Sequence, residues 1–177
     1  EEIDSEIYCK YINNFKLIYS ESQEKPAPLD APNHLWIYGE TGTGKSHAVA
    51  TTYPDRYIKN LNKWWDGYTD QEVVHIDEID PTHKYLVSFL KQWADKWPFN
   101  AEIKGSSKML RPPKIIVTSN YAIDEMEFPA ADYPALKRRF TEIKKEKGYF
   151  DGSILWAGGS VLPVSSVVIS EDTLFVT

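Results

Sequence analysis

Gly39-Glu40-Thr41-Gly42-Thr43-Gly44-Lys45-Ser46 satisfies G-x-x-x-x-G-K-[ST] at every fixed position. Residues of these types in this order can hold a nucleoside polyphosphate. The glycines let successive backbone N–H groups turn inward on phosphate oxygens, and the N-terminus of a following helix adds its positive dipole end. Lys45 is expected to reach the β- and γ-phosphates, and the Ser46 hydroxyl to ligate Mg²⁺. A chance glycine turn would not also explain the flanks. An apolar, β-prone run, His34-Leu35-Trp36-Ile37-Tyr38, precedes the loop, and a helix-competent run from His47 to Thr52 follows it.

Chemistry at the far end of a bound triphosphate needs carboxylates. Glu72-Val73-Val74-His75-Ile76-Asp77-Glu78 supplies them where a buried strand should end, 32 residues after Lys45. In a parallel sheet that end is where ligands sit. Asp77 is expected to hold Mg²⁺, through water, and Glu78 to orient and deprotonate the attacking water. Strand alternation puts His75 on the side of Asp77, as a hydrogen-bonded buried histidine. Lys114-Ile115-Ile116-Val117-Thr118-Ser119-Asn120 reads as another buried strand. Its terminal Asn120 would face the same crevice and could bond the γ-phosphate or the attacking water.

The rest of the chain must position these groups. Residues 5–22 carry Ile7, Tyr11, Phe15, Ile18 and Tyr19 at helical spacing, followed by a linker with Pro26, Pro28 and Pro32. This amphipathic helix either packs back on its own domain or belongs to an oligomerisation collar. Arg56 to Lys59 suits a short strand, and the aromatic run Lys63-Trp64-Trp65-Asp66-Gly67-Tyr68 suits packing better than ligand contact. After Pro81, residues Tyr85, Leu86, Phe89, Leu90, Trp93 and Trp97 predict a helix with a core face. Phe99 to Leu110 reads as a hairpin around Lys104-Gly105-Ser106-Ser107-Lys108. Lys104 and Lys108 there are either ordinary surface charge or a grip on a sugar–phosphate backbone. An irregular acidic loop spans residues 121–134. Arg138 and Arg139 come just before a strand at 141–143 and could supply an arginine finger to a neighbour's γ-phosphate.

The chain has 177 residues, 42% hydrophobic and 14% aromatic, which suits one compact α/β domain with an appendage. Three segments are expected: a helical segment and linker over 1–33, an ATPase domain over 34–147, and a Gly-, Ser- and Val-rich tail over 148–177. The net charge of −6 argues mildly against a nucleic-acid partner, but it is unevenly spread. Residues 1–30 carry −4 and residues 136–147 carry +4. The single cysteine, Cys9, has no internal partner, which suits a reducing compartment. No signal peptide and no membrane-spanning run is apparent. An opening on Glu1 suggests a fragment of a longer protein.

Residues 34–145 resemble the superfamily 3 helicase domain of viral replication initiators, and most of all the Rep proteins of circoviruses and related small circular single-stranded DNA viruses. Four features carry the resemblance in the family's order: the loop Gly39 to Ser46, the Asp77-Glu78 strand end, the hairpin around Lys104-Gly105, and the strand ending Thr118-Ser119-Asn120. The Lys63 to Tyr68 run is similar as well. The resemblance implies an AAA+-like ASCE core, a P-loop NTPase whose parallel sheet is flanked by helices. It implies hexamers around single-stranded DNA, with ATP between subunits. Arg139 best matches the arginine that reaches across, with Arg138 as substitute or assistant. Lys104 matches the residue that tracks the strand, with Lys108 weaker. The N-terminal helix would join the collar, a nicking endonuclease would lie upstream in the parent protein, and the setting would be the host nucleus. The competing readings are a P-loop small-molecule kinase, which would not need Glu78 to activate water, and a non-helicase assembly ATPase.

Overall fold

The structure is a computed structural model that describes residues 24–147 together with 10–12, 14, 15 and 18. The expected tail over 148–177 lies outside the described residues, as do Ile7 and Tyr19 of the N-terminal helix. Its described positions are helical, and Tyr11, Phe15 and Ile18 are exposed.

Five strands, β1 (His34–Tyr38), β2 (Tyr57–Ile58), β3 (Val73–Ile79), β6 (Lys114–Ser119) and β7 (Phe140–Lys144), form one wholly parallel sheet. Their order across it is β2-β3-β6-β1-β7. The central strands are apolar on both faces because helices cover both. Strand alternation then divides the core in two. Trp36, Val74, Ile76, Ile115 and Val117 pack with Leu86, Leu90, Trp93 and Leu136. Leu35, Ile37, Val73 and Ile116 pack with Val49 and Tyr53 on the other face. Helix α1 (Lys45–Thr52) follows the glycine loop and covers the second face. Helices α2 (Val87–Trp93) and α3 (Tyr133–Lys137) cover the first.

The segment after Pro81 departs from the single predicted helix. It opens as a 3₁₀ turn over Pro81–Leu86, capped by the Asp80 carboxylate on the Thr82 N–H, and becomes α-helical only at Val87. The change of pitch rotates the expected core face. Leu86, Leu90 and Trp93 are buried and Tyr85 is exposed; Trp97 is exposed because the helix ends at Trp93, short of it.

β4 (Phe99–Ile103) and β5 (Ser106–Leu110) form the hairpin as a separate antiparallel pair. Its tip is tighter than the sequence suggests. Only Lys104 and Gly105 form the turn, with Gly105 at φ +79, a region that favours glycine. Lys108 therefore lies within β5 opposite Ala101, and its ammonium pairs with Asp70 at 2.8 Å.

Candidate functional site

β1 delivers the chain into the glycine loop at the C-terminal edge of the sheet. Gly39 has a steric reason to be glycine. A Cβ there would lie 2.1 Å from the carbonyl oxygen of Lys145. Lys145 crosses this point because its N–H continues the β1–β7 ladder onto Tyr38 O at 2.7 Å. Gly42 and Gly44 have open space around them, and their φ of +78 and +82 is what selects glycine. The loop and the N-terminus of α1 border a cavity of about 440 Å³ that Glu78, Asp80, Asn120 and Tyr121 close from the opposite side.

Within this edge the structure brings together residues far apart in the chain, Lys45 and Asn120 among them at 75 positions. Lys45 Nζ donates to Asn120 Oδ1 at 2.9 Å, and to the carbonyls of Gly39 at 2.8 Å and Glu40 at 2.9 Å. Burial pulls the Lys45 ammonium below its ordinary range, against the opposing pull of Asp77 and Glu78. Ser46 Oγ donates to Asp77 Oδ1 at 2.6 Å. Asn120 is fixed by its neighbours: Ser119 Oγ donates to Ile79 O, the Tyr121 N–H donates to Ser119 Oγ, and Trp36 Nε1 donates to Tyr121 O.

Asp77 belongs to a chain of hydrogen bonds that the sequence does not announce. Thr118 Oγ1 donates to Asp77 Oδ1 at 2.5 Å and lies 3.1 Å from His75 Nε2. Arg56 Nε donates to His75 Nδ1 at 3.2 Å. Because Nδ1 accepts, the neutral ring carries its proton on Nε2 and donates to the Thr118 hydroxyl, which passes its own proton towards Asp77. Burial lowers the His75 pKa to about 4, so the ring is neutral. Burial of Asp77 raises its pKa, but the Ser46 and Thr118 hydroxyls and His75 outweigh that and hold it below the ordinary value. The expected buried, hydrogen-bonded His75 is thus present, with Thr118 and Arg56 as unforeseen members.

Glu78 is separated from Asp77 by a change in the backbone. Ile76 pairs with Val117 and Ile79 with Ser119, so two residues of β3 oppose Thr118 alone. This bulge puts Glu78 at φ +55, a left-handed conformation uncommon for a side chain of this size. Adjacent strand residues normally face opposite sides of a sheet. Here Asp77 turns to Ser46 while Glu78 borders the cavity.

The two arginines separate sharply. Arg139 donates to Ala135 O at 2.8 Å and to the Asp95 carboxylate, and its side chain is 11% exposed. Arg138 is exposed, and its side chain has no hydrogen bond or ion pair among the described residues. Lys104 is exposed at the hairpin tip, with its N–H donating to Asp66 Oδ1 at 2.9 Å.

The donor set fits a Mg²⁺-bound nucleotide. No group of three His, Cys, Asp or Glu residues suited to a metal occurs among the described residues. One hydroxyl and one carboxylate 2.6 Å apart suit an ion that keeps most of its water and takes its other ligands from phosphate.

A five-stranded parallel sheet with a glycine loop, paired acids and a terminal asparagine on one edge defines a P-loop NTPase with an ASCE-type core. Residues 35–121 match the family described as RNA helicase. The chain is 28% identical over 149 residues to the replication-associated protein of Canary circovirus, covering 84% of this chain and 49% of that one. It is 31% identical over 142 residues to that of Beak and feather disease virus, covering 78% and 47%. It is 36% identical over 116 residues to that of Porcine circovirus 1, covering 61% and 36%. The chain carries a superfamily 3-like helicase domain of the circovirus replication-associated kind, and it spans about half the length of the first two of these relatives.

Proposed function

We propose that the chain is an ATP-driven motor that moves on single-stranded DNA as part of a viral rolling-circle replication initiator. The observation that carries this reading is the pairing of Lys45 with Asn120 and of Ser46 with Asp77 at one sheet edge, where Lys45, Ser46 and Asn120 border one cavity and the bulge turns Glu78 onto it. The backbone N–H groups of residues 39–46 would cradle the phosphates, and Lys45 would exchange its loop carbonyls for phosphate oxygens. Ser46 would ligate Mg²⁺ and Asp77 would hold it through water. Bound Mg²⁺ would neutralise charge developing on the phosphates. Glu78 would orient and deprotonate water, and Asn120 would register the γ-phosphate.

The site borders solvent, which suits ATP held between subunits of a hexamer. Arg138 is then the better placed of the two arginines to reach a neighbour's γ-phosphate, because Arg139 is already committed to Asp95. Lys104 would contact the strand, with Lys108 subordinate because Asp70 neutralises it. Upstream nicking activity and a host-nuclear setting belong to the same proposal for the longer protein.

The test is ATPase activity of size-selected oligomers with and without single-stranded DNA. Lys45→Ala should abolish turnover. Glu78→Gln should abolish turnover while sparing ATP binding. Full turnover by either variant would overturn the assignment, and tolerance of Glu78→Gln alone would favour a kinase.

A further inference from the structure

The aromatic run Lys63 to Tyr68 divides into two roles. Trp65 and Tyr68 are core residues. Trp65 is fully buried against Tyr57, Tyr68, Trp93 and Phe99. Trp64 is only half-buried, and it borders a second cavity of about 150 Å³ whose other walls are Tyr57, Asn60, Asn62, Asp66 and Lys104. The size is that of one nucleobase, and the wall includes the hairpin-tip lysine.

Loop and hairpin are built as one unit here. Trp65 N–H donates to Glu102 O at 2.9 Å, Lys63 pairs with Glu102 at 2.6 Å, and Lys104 N–H donates to Asp66 Oδ1. The cavity therefore keeps its place relative to the tip. Its chemistry is wrong for a phosphate, since Asp66 puts a carboxylate in the wall. It suits a base. The indole offers a stacking surface, with the Lys63 ammonium 4.6 Å from its centroid. Asn62 accepts the Trp64 N–H with Oδ1, which leaves its NH₂ group to donate. Asn60 is exposed, and its side-chain amide makes no hydrogen bond among the described residues. Asp66 retains a second oxygen that can accept from an exocyclic amino group. The phosphates on either side of such a base would fall near Lys63 and Lys104.

We propose that this cavity is a subsite for one unstacked base of single-stranded DNA, with Trp64 as the stacking surface and Asn60, Asn62 and Asp66 reading the base edge. The proposal rests on the reading of the chain as a single-strand motor, and it adds that the chain grips a base as well as the backbone.

The experiment compares binding of a fluorescent single-stranded oligonucleotide with that of an abasic strand of equal length, over a salt series. The wild-type chain should bind the base-bearing strand roughly tenfold more tightly, the scale of one base–aromatic stack. Trp64→Leu should bring that ratio close to one and leave the salt slope unchanged, because the phosphate contacts remain. Trp64→Phe should keep most of the preference. Should Trp64→Leu fail to fold, Asn60→Ala decides, and an undiminished preference there overturns the proposal. Equal wild-type binding of both strands with a normal salt slope would remove the subsite and leave the strand-binding reading intact. No binding of either strand would remove both.

Discussion

Arg138 and Arg139 are adjacent, and the structure gives them opposite fates that can be separated by measurement. Arg139→Ala deletes a guanidinium that bonds Ala135 O and Asp95 from a largely buried position. Hydrogen bonds to charged groups contribute about 1.5–3 kcal/mol each. Asp95 is 31% exposed and keeps the Lys96 N–H at 2.7 Å, so the cost stays below that of a fully buried broken pair. A loss of roughly 3 kcal/mol follows, and at 2–4 °C per kcal/mol the unfolding midpoint falls by about 10 °C. Asp95→Asn should reproduce much of this, and the double variant should be less than additive. Arg138→Ala touches no partner, so its midpoint should move by less than about 1 kcal/mol equivalent. Its ATPase rate should fall by about 10³ if it completes a neighbour's site. Mixing Arg138→Ala with Glu78→Gln subunits should restore part of that rate, because some interfaces then combine two intact halves. The reasoning is refuted if Arg139→Ala melts like the wild type while turnover collapses, which would place Arg139 at the subunit boundary.

Three other perturbations probe the scaffold. Lys59 is buried over Trp93, with Nζ bonded to Asn60 O and Asn62 O, and burial lowers its pKa from 10.5 to about 8. Between those values the unfolded chain holds a proton that the folded one has released. Stability should therefore rise with pH across that window by at most roughly 3 kcal/mol, and urea unfolding of Lys59→Met should lack this rise. Gly39→Ala forces a Cβ to 2.1 Å from Lys145 O and should weaken both folding and nucleotide affinity, whereas Gly42→Ala meets no atom and should cost only about 1–2 kcal/mol of conformational strain; equal effects in calorimetry would contradict the steric account. Thr118→Val preserves shape but breaks the link from His75 to Asp77, so it should cost about 1–3 kcal/mol and shift the Mg²⁺ dependence of turnover to higher concentration; an unchanged Mg²⁺ titration would show that Thr118 does not position Asp77.

What the sequence shows are features fixed locally or by burial on two faces. β1, β3 and β6 read as near-continuous apolar runs, interrupted in β3 by His75, because the sheet is covered on both sides, and the glycine loop is legible from spacing alone. The bulge at Asp77-Glu78 is not legible, because it arises from the pairing of β3 with Thr118 on another strand. The choice between Arg138 and Arg139 depends on Asp95, 44 residues before Arg139. The division between Trp64 and Trp65 depends on Tyr57, Trp93 and Phe99 converging on only one of two identical side chains. Tyr85 falls off the core because a 3₁₀ turn replaces the first helical turns, a change of pitch that an α-helical period does not register, and Trp97 does so because the helix stops at Trp93.

The register of β1 on β7 links the two ends of a subunit. His34 lies beside Phe140 and Tyr38 beside Lys144, and Gly39 then rests against the Lys145 carbonyl. The turn that carries Arg138 leads straight into β7, and that strand is braced against the phosphate loop at its finish, roughly 17 Å from Phe140. On the proposed assignment the strand is a strut, joined to the arm by the turn over residues 138–139. A shift of the cradle on nucleotide turnover would travel along this strand to the arm, which gives neighbouring sites of the proposed ring a direct route to fire in sequence.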